Sequence, residues 1–229
     1  MEDPDLIPAR NPFPAGIDER LSAQLAFLAE ADKLKTILRA SPLAAADRRE
    51  NDAEHSWHLA LMVALLAEYA DEPIDIGHTV TLVVVHDLVE IYAGDSPVYD
   101  AASRLDQRER EEAAADRLFP MLPDDQAREL RALWEEFEAG ETPESRFAKA
   151  VDRLEPMLLN WFNEGGTWRM PGASLDKVRA RAAGVTAGSS TLGAATEALI
   201  DEGVQRGWVR GVPGADSAED VEGAPRVEP

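Results

Sequence analysis

Residues 82–97 read LVVVHDLVEIYAGDSP. Four apolar residues, Leu82 to Val85, run straight into His86 and Asp87, and Glu90 and Asp95 follow at once. An unpaired charge on the inner face of a helix is costly to bury unless a counter-charge or a metal neutralises it, so this stretch demands a partner. Glu90 follows His86 by four residues and Asp87 by three, which places all three side chains along one broad helix face. The β-branched run Val83 to Val85 is the local argument for a strand, and its helical flanks override it. The spacing predicts one helix through DIGHTVTLVVVHDLVEIYAG, with Gly94 as its C-terminal cap.

Working outward, the pattern is helical almost everywhere, and no convincing strand pair is found. Leu21, Leu25 and Leu28, then Leu34, Ile37 and Leu38, recur at helical spacing until RASPL breaks the run at Pro42. Asn51 or Asp52 caps the next helix, where His55, Leu59, Met62 and Leu66 fall on one face. His55 therefore points inward, as a satisfied core histidine or as a ligand. His58 lies off that stripe, which suits the surface or a subunit contact, and Trp57 suits core packing. Further helices are expected over DQREREEAAADRLFPML, DDQARELRALWEEFEAG and PESRFAKAVDRLEPMLLNWFNEGG, with a final one in AAGVTAGSSTLGAATEALIDEGVQ. In the third of these, Phe147, Val151, Leu154, Leu158 and Trp161 form the apolar stripe, and Asp152 sits beside it. Pro156 lacks the N–H that would bond the Asp152 carbonyl, so a bend is expected there. Taken alone, Asp152 is equally an ordinary surface acid paired with Arg153 or Lys149.

The fold class is all-α, a single helical bundle. Residues 1–17, with four prolines by position 14, form an irregular arm, residues 18–207 the helical domain, and residues 208–229 a disordered acidic tail. The 229 residues suffice for one self-supporting core. Lys and Arg number 23 against 44 Asp and Glu, a net charge of -21, which argues against nucleic-acid coating and anionic membranes. There is no cysteine, so any metal must sit on His and carboxylates, a composition that suits the cytoplasm. The N-terminus is acidic and broken by proline, and no strictly apolar run approaches a membrane span. His55, His86, Asp87 and Asp152, from three helices, make a two-nitrogen, two-oxygen set suited to Mn2+, Co2+, Fe2+ or Zn2+.

The order His55, His86-Asp87, Asp152 over an all-helical chain resembles the HD-domain metal-dependent phosphohydrolases. AEHSWHLALM, HDLVEIYAGDSP and LWEEFEAGETPESRFAKAVDRLE are similar, more narrowly, to the 5′-deoxynucleotidase branch, over about residues 20–165. The resemblance implies one divalent metal ion, with cobalt, manganese, iron, zinc and magnesium all open, held by His55, His86, Asp87 and Asp152. It implies that Glu90 and Asp95 handle the attacking water and proton transfer, and that Arg39 contacts the substrate phosphate. Lys35, Arg48 and Arg49 are nearby alternatives to Arg39. Bacterial members often carry a tryptophan beside that arginine, where this chain has Ala40 and Ser41, so the choice between ribose and deoxyribose stays open. The implied activity is hydrolysis of (deoxy)nucleoside 5′-monophosphates to nucleoside and phosphate by a homodimer. The same site on another phosphorylated nucleotide, or a non-catalytic metal or nucleotide sensor, are the alternatives.

Overall fold

The computed structural model describes residues 13–14, 16–96, 99 and 105–209. Most of the expected arm at 1–17 and of the acidic tail at 208–229 lies outside them. The described chain is helical, as the periodicity predicts, with one small exception. Helix α1 (Glu19–Ala31) starts on Asp18, whose carboxylate accepts from the Leu21 N–H, and passes through a tight turn into β1 (Leu38–Pro42). Strand β2 (Arg49–Asn51) pairs with β1 in antiparallel fashion, Leu38 against Asn51 and Pro42 against Arg49. This hairpin corrects the expectation of no strand pair. Residues before a proline avoid the α region, and the alternation of an extended chain turns Arg39 and Ser41 inward. Because the inward residues are polar, no apolar alternation announced the strand.

Helix α2 (Asp52–Leu66) follows at once. Asn51, not Asp52, is its cap: the Asn51 side chain accepts from the Glu54 N–H at 3.0 Å, and Glu54 accepts from the Asn51 N–H at 3.2 Å. Helix α3 (Ile76–Val85) packs against α2, but it does not run on to Gly94. Residues 86–89 tighten into turns, with Leu88 N–H donating to the Val85 carbonyl and Glu90 N–H to that of Asp87, before the short α4 (Glu90–Ala93). Three-residue winding eclipses positions three apart, so Asp87 and Glu90 are stacked. Gly94, at φ +73°, ends α4 as expected, its N–H reaching the Glu90 carbonyl. The stretch Ile76–Ala93 has the mean hydropathy of a membrane segment, 1.3, yet 56% of it is buried inside the protein, as a core segment should be.

Helices α5 (Gln107–Leu118) and α6 (Asp124–Ala139) form one flank, and Gly140 closes α6 in the left-handed region. Helix α7 (Pro143–Phe162) begins on a reciprocal Thr142–Ser145 cap and runs unbroken through Pro156. The single final helix expected from the sequence is two, α8 (Leu175–Thr186) and α9 (Ser190–Gln205), capped by Ser174 and Ser189. Helices α2, α3 and α7 meet around Leu59, Val63, Leu82, Val83, Phe147 and Val151, all buried. Each such side chain contributes roughly 1.5–3 kcal/mol of apolar burial. That rigid contact is what carries His55, His86 and Asp152 towards one another.

Candidate active site

His55 enters from the first turn of α2 and is fully buried. Its Nε2 lies 3.2 Å from Asp152 Oδ1 and 4.0 Å from Asp87 Oδ2. Its Nδ1 faces two buried acids, Glu155 Oε2 at 3.3 Å and Glu50 Oε2 at 3.5 Å. His86, at the end of α3, has Nδ1 2.8 Å from the Val83 carbonyl. A carbonyl only accepts, so Nδ1 carries a proton there and Nε2 is the ring nitrogen turned toward the acids. That Nε2 is buried without a hydrogen-bond partner, yet it stands 3.0 Å from Asp87 Oδ1 and 3.9 Å from Asp152 Oδ1. Carboxylate oxygens gathered around a buried ring nitrogen that makes no hydrogen bond to them are the setting in which a cation is held. One ligand atom each from His55, His86 and Asp152 falls within 4.8 Å of the others. The donor set therefore fits a borderline divalent ion.

The hairpin brings Arg39 in from the other side. Its Nη1 donates to Asp87 Oδ2 at 2.9 Å and to Asp52 Oδ1 at 3.2 Å. The alternatives lie elsewhere: Lys35 pairs with Asp32, Arg48 makes a two-pronged contact to Glu54, and Arg49 donates to the Leu38 and Arg39 carbonyls. Asp52, Asp87 and Glu90 form a second close group of oxygens, all buried. A cavity of about 300 Å³ opens over these residues, and Arg39, His86, Asp87, Glu90, Asp95 and Asp152 all line it.

So many acids in one place perturb one another. Burial and then Asp87 push Asp52 up to about 6. Burial, Asp87 and Asp52 hold Glu90 well above the usual carboxylate range, and burial raises Asp95. Burial also opposes ionised Asp87, but His86 and Arg39 outweigh it and bring that group to about 2. Asp152 is likewise held well below the ordinary range: burial opposes its charge, and His55, Arg181 and His86 outweigh it. Burial works against the Arg39 charge, while Asp87, Glu90, Asp152 and Asp95 sustain it. Three acids with raised pKa values beside two firmly ionised ones is the division of labour expected where protons are moved.

The seven residues given roles by the resemblance, His55, His86, Asp87, Asp152, Glu90, Asp95 and Arg39, are thus brought together. His58 differs from its expected surface role, since it is half-buried and its Nδ1 lies 3.1 Å from Glu155 Oε1. Trp57, expected in the core, is exposed. Glu50, Asp52, Glu155 and Arg181 were not anticipated. Asp52 reads as an ordinary first-turn acid and Glu50 as an acid just before the cap, Glu155 lies three residues after Asp152, and nothing in the pattern around Arg181 marks it.

Residues 31–192, which hold all of these groups, match the family model of the HD domain. The chain belongs to the HD-domain family. Among curated HD-domain relatives, 5′-deoxynucleotidase HDDC2 of Bos taurus is 36% identical over 109 residues, 48% of this chain and 52% of that protein. The Homo sapiens protein of the same name is 32% identical over 111 residues, 48% of this chain and 53% of that one. The chain thus spans about half the length of the curated relatives it matches. A solved structure described as a predicted metal-dependent phosphohydrolase, from Magnetospirillum magnetotacticum MS-1, is 52% identical, with a TM-score of 0.80 over 87% of this chain and 99% of that one.

Proposed function

We propose that this HD-domain protein is a metal-dependent phosphomonoesterase that hydrolyses (deoxy)nucleoside 5′-monophosphates to nucleoside and inorganic phosphate. The observation that carries the reading is the buried, unpartnered His86 Nε2, fixed by Val83 and facing the oxygens of Asp87 and Asp152 beside His55. His55, His86, Asp87 and Asp152 would hold one divalent ion. Bound there, such an ion supplies Lewis acidity, acidifying water and offsetting phosphate charge. The kinship with 5′-deoxynucleotidases supports the substrate class.

The chain's own groups do the rest. Arg39 presents to the cavity the donors it does not commit to Asp52 and Asp87, and with them it orients the phosphate. Glu90 and Asp95, both held above the ordinary carboxylate range by burial, orient the attacking water and move its proton. The water oxygen bonds to phosphorus as the ester P–O bond breaks, and the departing 5′-oxygen takes up a proton. With a net charge of -21, the protein has little general attraction for a dianion, so affinity for substrate is modest.

The test is phosphate release from a panel of ribo- and deoxyribonucleoside 5′-monophosphates, using metal-stripped protein resupplied with Mn2+, Co2+, Zn2+ or Mg2+. Metal-dependent release is expected from at least one nucleotide, and the panel reads the sugar preference directly. No release with any pairing removes the monophosphatase reading.

A further inference from the structure

Helix α8 sends one guanidinium to the cavity wall, that of Arg181. Its side chain is 23% exposed, and Nη2 lies 3.8 Å from Asp152 Oδ2, beyond direct hydrogen-bond reach. No hydrogen bond from this guanidinium to any other described residue accompanies that contact. The neighbouring cations are more committed. Arg39 donates to two carboxylates, Arg153 to the Gly184 carbonyl, and Lys149 lies over the Phe137 ring beside Glu138. Burial presses the Arg181 pKa below its ordinary value, with Asp152 opposing. A sheltered cation with five donors and one distant carboxylate is short of an anion.

The position of that carboxylate says where the anion belongs. Asp152 turns Oδ1 to His55 and His86 and Oδ2 to Arg181. A phosphate entering the cavity toward the histidines therefore passes within reach of α8. The flat fork of a guanidinium matches two phosphate oxygens, which neither a ribose hydroxyl nor a base edge does as well.

We propose that Arg181 binds the substrate phosphate from the α8 side of the cavity, as a second guanidinium besides Arg39. The proposal rests on the phosphomonoesterase reading, and its test separates the two. Metal-loaded full-length protein is titrated with inorganic phosphate by calorimetry, which needs no turnover, for the wild type, Arg181→Gln and Arg181→Lys. Metal affinity, KM and kcat for the preferred nucleotide are measured alongside. For Arg181→Gln, phosphate affinity is expected to fall about tenfold to hundredfold, the range for a lost charge-assisted hydrogen bond. KM should rise in step, kcat should change less and metal affinity should stay unchanged. Lysine should restore part of the phosphate binding.

Unchanged phosphate affinity overturns the proposal, as does a wild type that binds no phosphate. A loss of phosphate affinity that tracks a loss of metal affinity also overturns it, because Arg181 would then act only by positioning Asp152. If the wild type hydrolyses no nucleotide while Arg181→Gln still weakens phosphate binding, the nucleotidase reading fails and the Arg181 assignment stands.

Discussion

His55 meets acids at both ring nitrogens, and the division between them determines what the ring can do. The hydrogen bond in the structure joins Nε2 to Asp152, while Glu155 and Glu50 lie within 3.5 Å of Nδ1, so an ion taken by Nε2 would leave the ring proton on the Nδ1 side. Metal-binding histidines commonly have the second nitrogen fixed by a carboxylate in this way. Glu155→Gln keeps the shape and removes the charge, so metal affinity should fall about tenfold to hundredfold, measured by competition with a chromogenic chelator. Unchanged affinity would assign Glu155 to His58 alone. Burial opposes ionised Glu155, but His55 and His58 outweigh it and lower its pKa from 4.5 to about 2. Its contribution to folding is therefore complete above pH 4.5 and lost as pH falls toward 2. Glu155→Gln should accordingly flatten the acid limb of a stability profile taken on metal-free protein by chemical denaturation.

The residue scale is also where the sequence divided most sharply into legible and illegible. His86 and Asp87 stood out because charge followed an apolar run, and His55 because it shared a stripe with Leu59 and Met62. Glu50 and Glu155 gave no such sign. An acid on a helix or beside a cap is ordinarily solvated, and only the meeting of α2 and α7 buries these two.

At the scale of elements, local periodicity located the long helices and missed what depends on distant contacts. The β1–β2 hairpin pairs residues across a loop and turns polar side chains inward, so neither apolar alternation nor a tight-turn dipeptide announces it. The tightening at residues 86–89 was equally hidden, yet it stacks Asp87 on Glu90 and so shapes the acidic group beside Arg39. The break between α8 and α9 depends on packing too. A Cβ at Gly188 would lie 2.3 Å from the Arg146 carbonyl oxygen and 2.9 Å from the Ala150 Cβ, both on α7. Backbone cannot swing aside as a flexible side chain can, so Gly188→Ala should destabilise the protein by roughly 1–3 kcal/mol. Denaturant unfolding reads this directly, and a variant as stable as the wild type would show that the α7–α8–α9 contact is looser than described.

For the whole molecule, the surface of α2 bears on assembly. Trp57, Leu61 and Leu65 recur every fourth residue and are 67%, 42% and 65% exposed, an apolar stripe on an otherwise strongly acidic protein. This supports the homodimer that we propose, with a second copy covering the stripe. Light scattering should give twice the mass of one chain for the wild type and a single mass for Trp57→Glu. A monomeric wild type at high protein concentration would remove the dimer from the account.

The claim on which the rest depends is that His55, His86, Asp87 and Asp152 hold one divalent ion needed for phosphate release. The most direct measurement is a titration of metal-stripped protein with Mn2+, following bound metal by elemental analysis and phosphate release from a deoxynucleoside 5′-monophosphate in the same samples. Both should rise together and level at one ion per chain, and Asp87→Asn should lose both. Undiminished hydrolysis by the stripped protein, or full activity in Asp87→Asn, would contradict it.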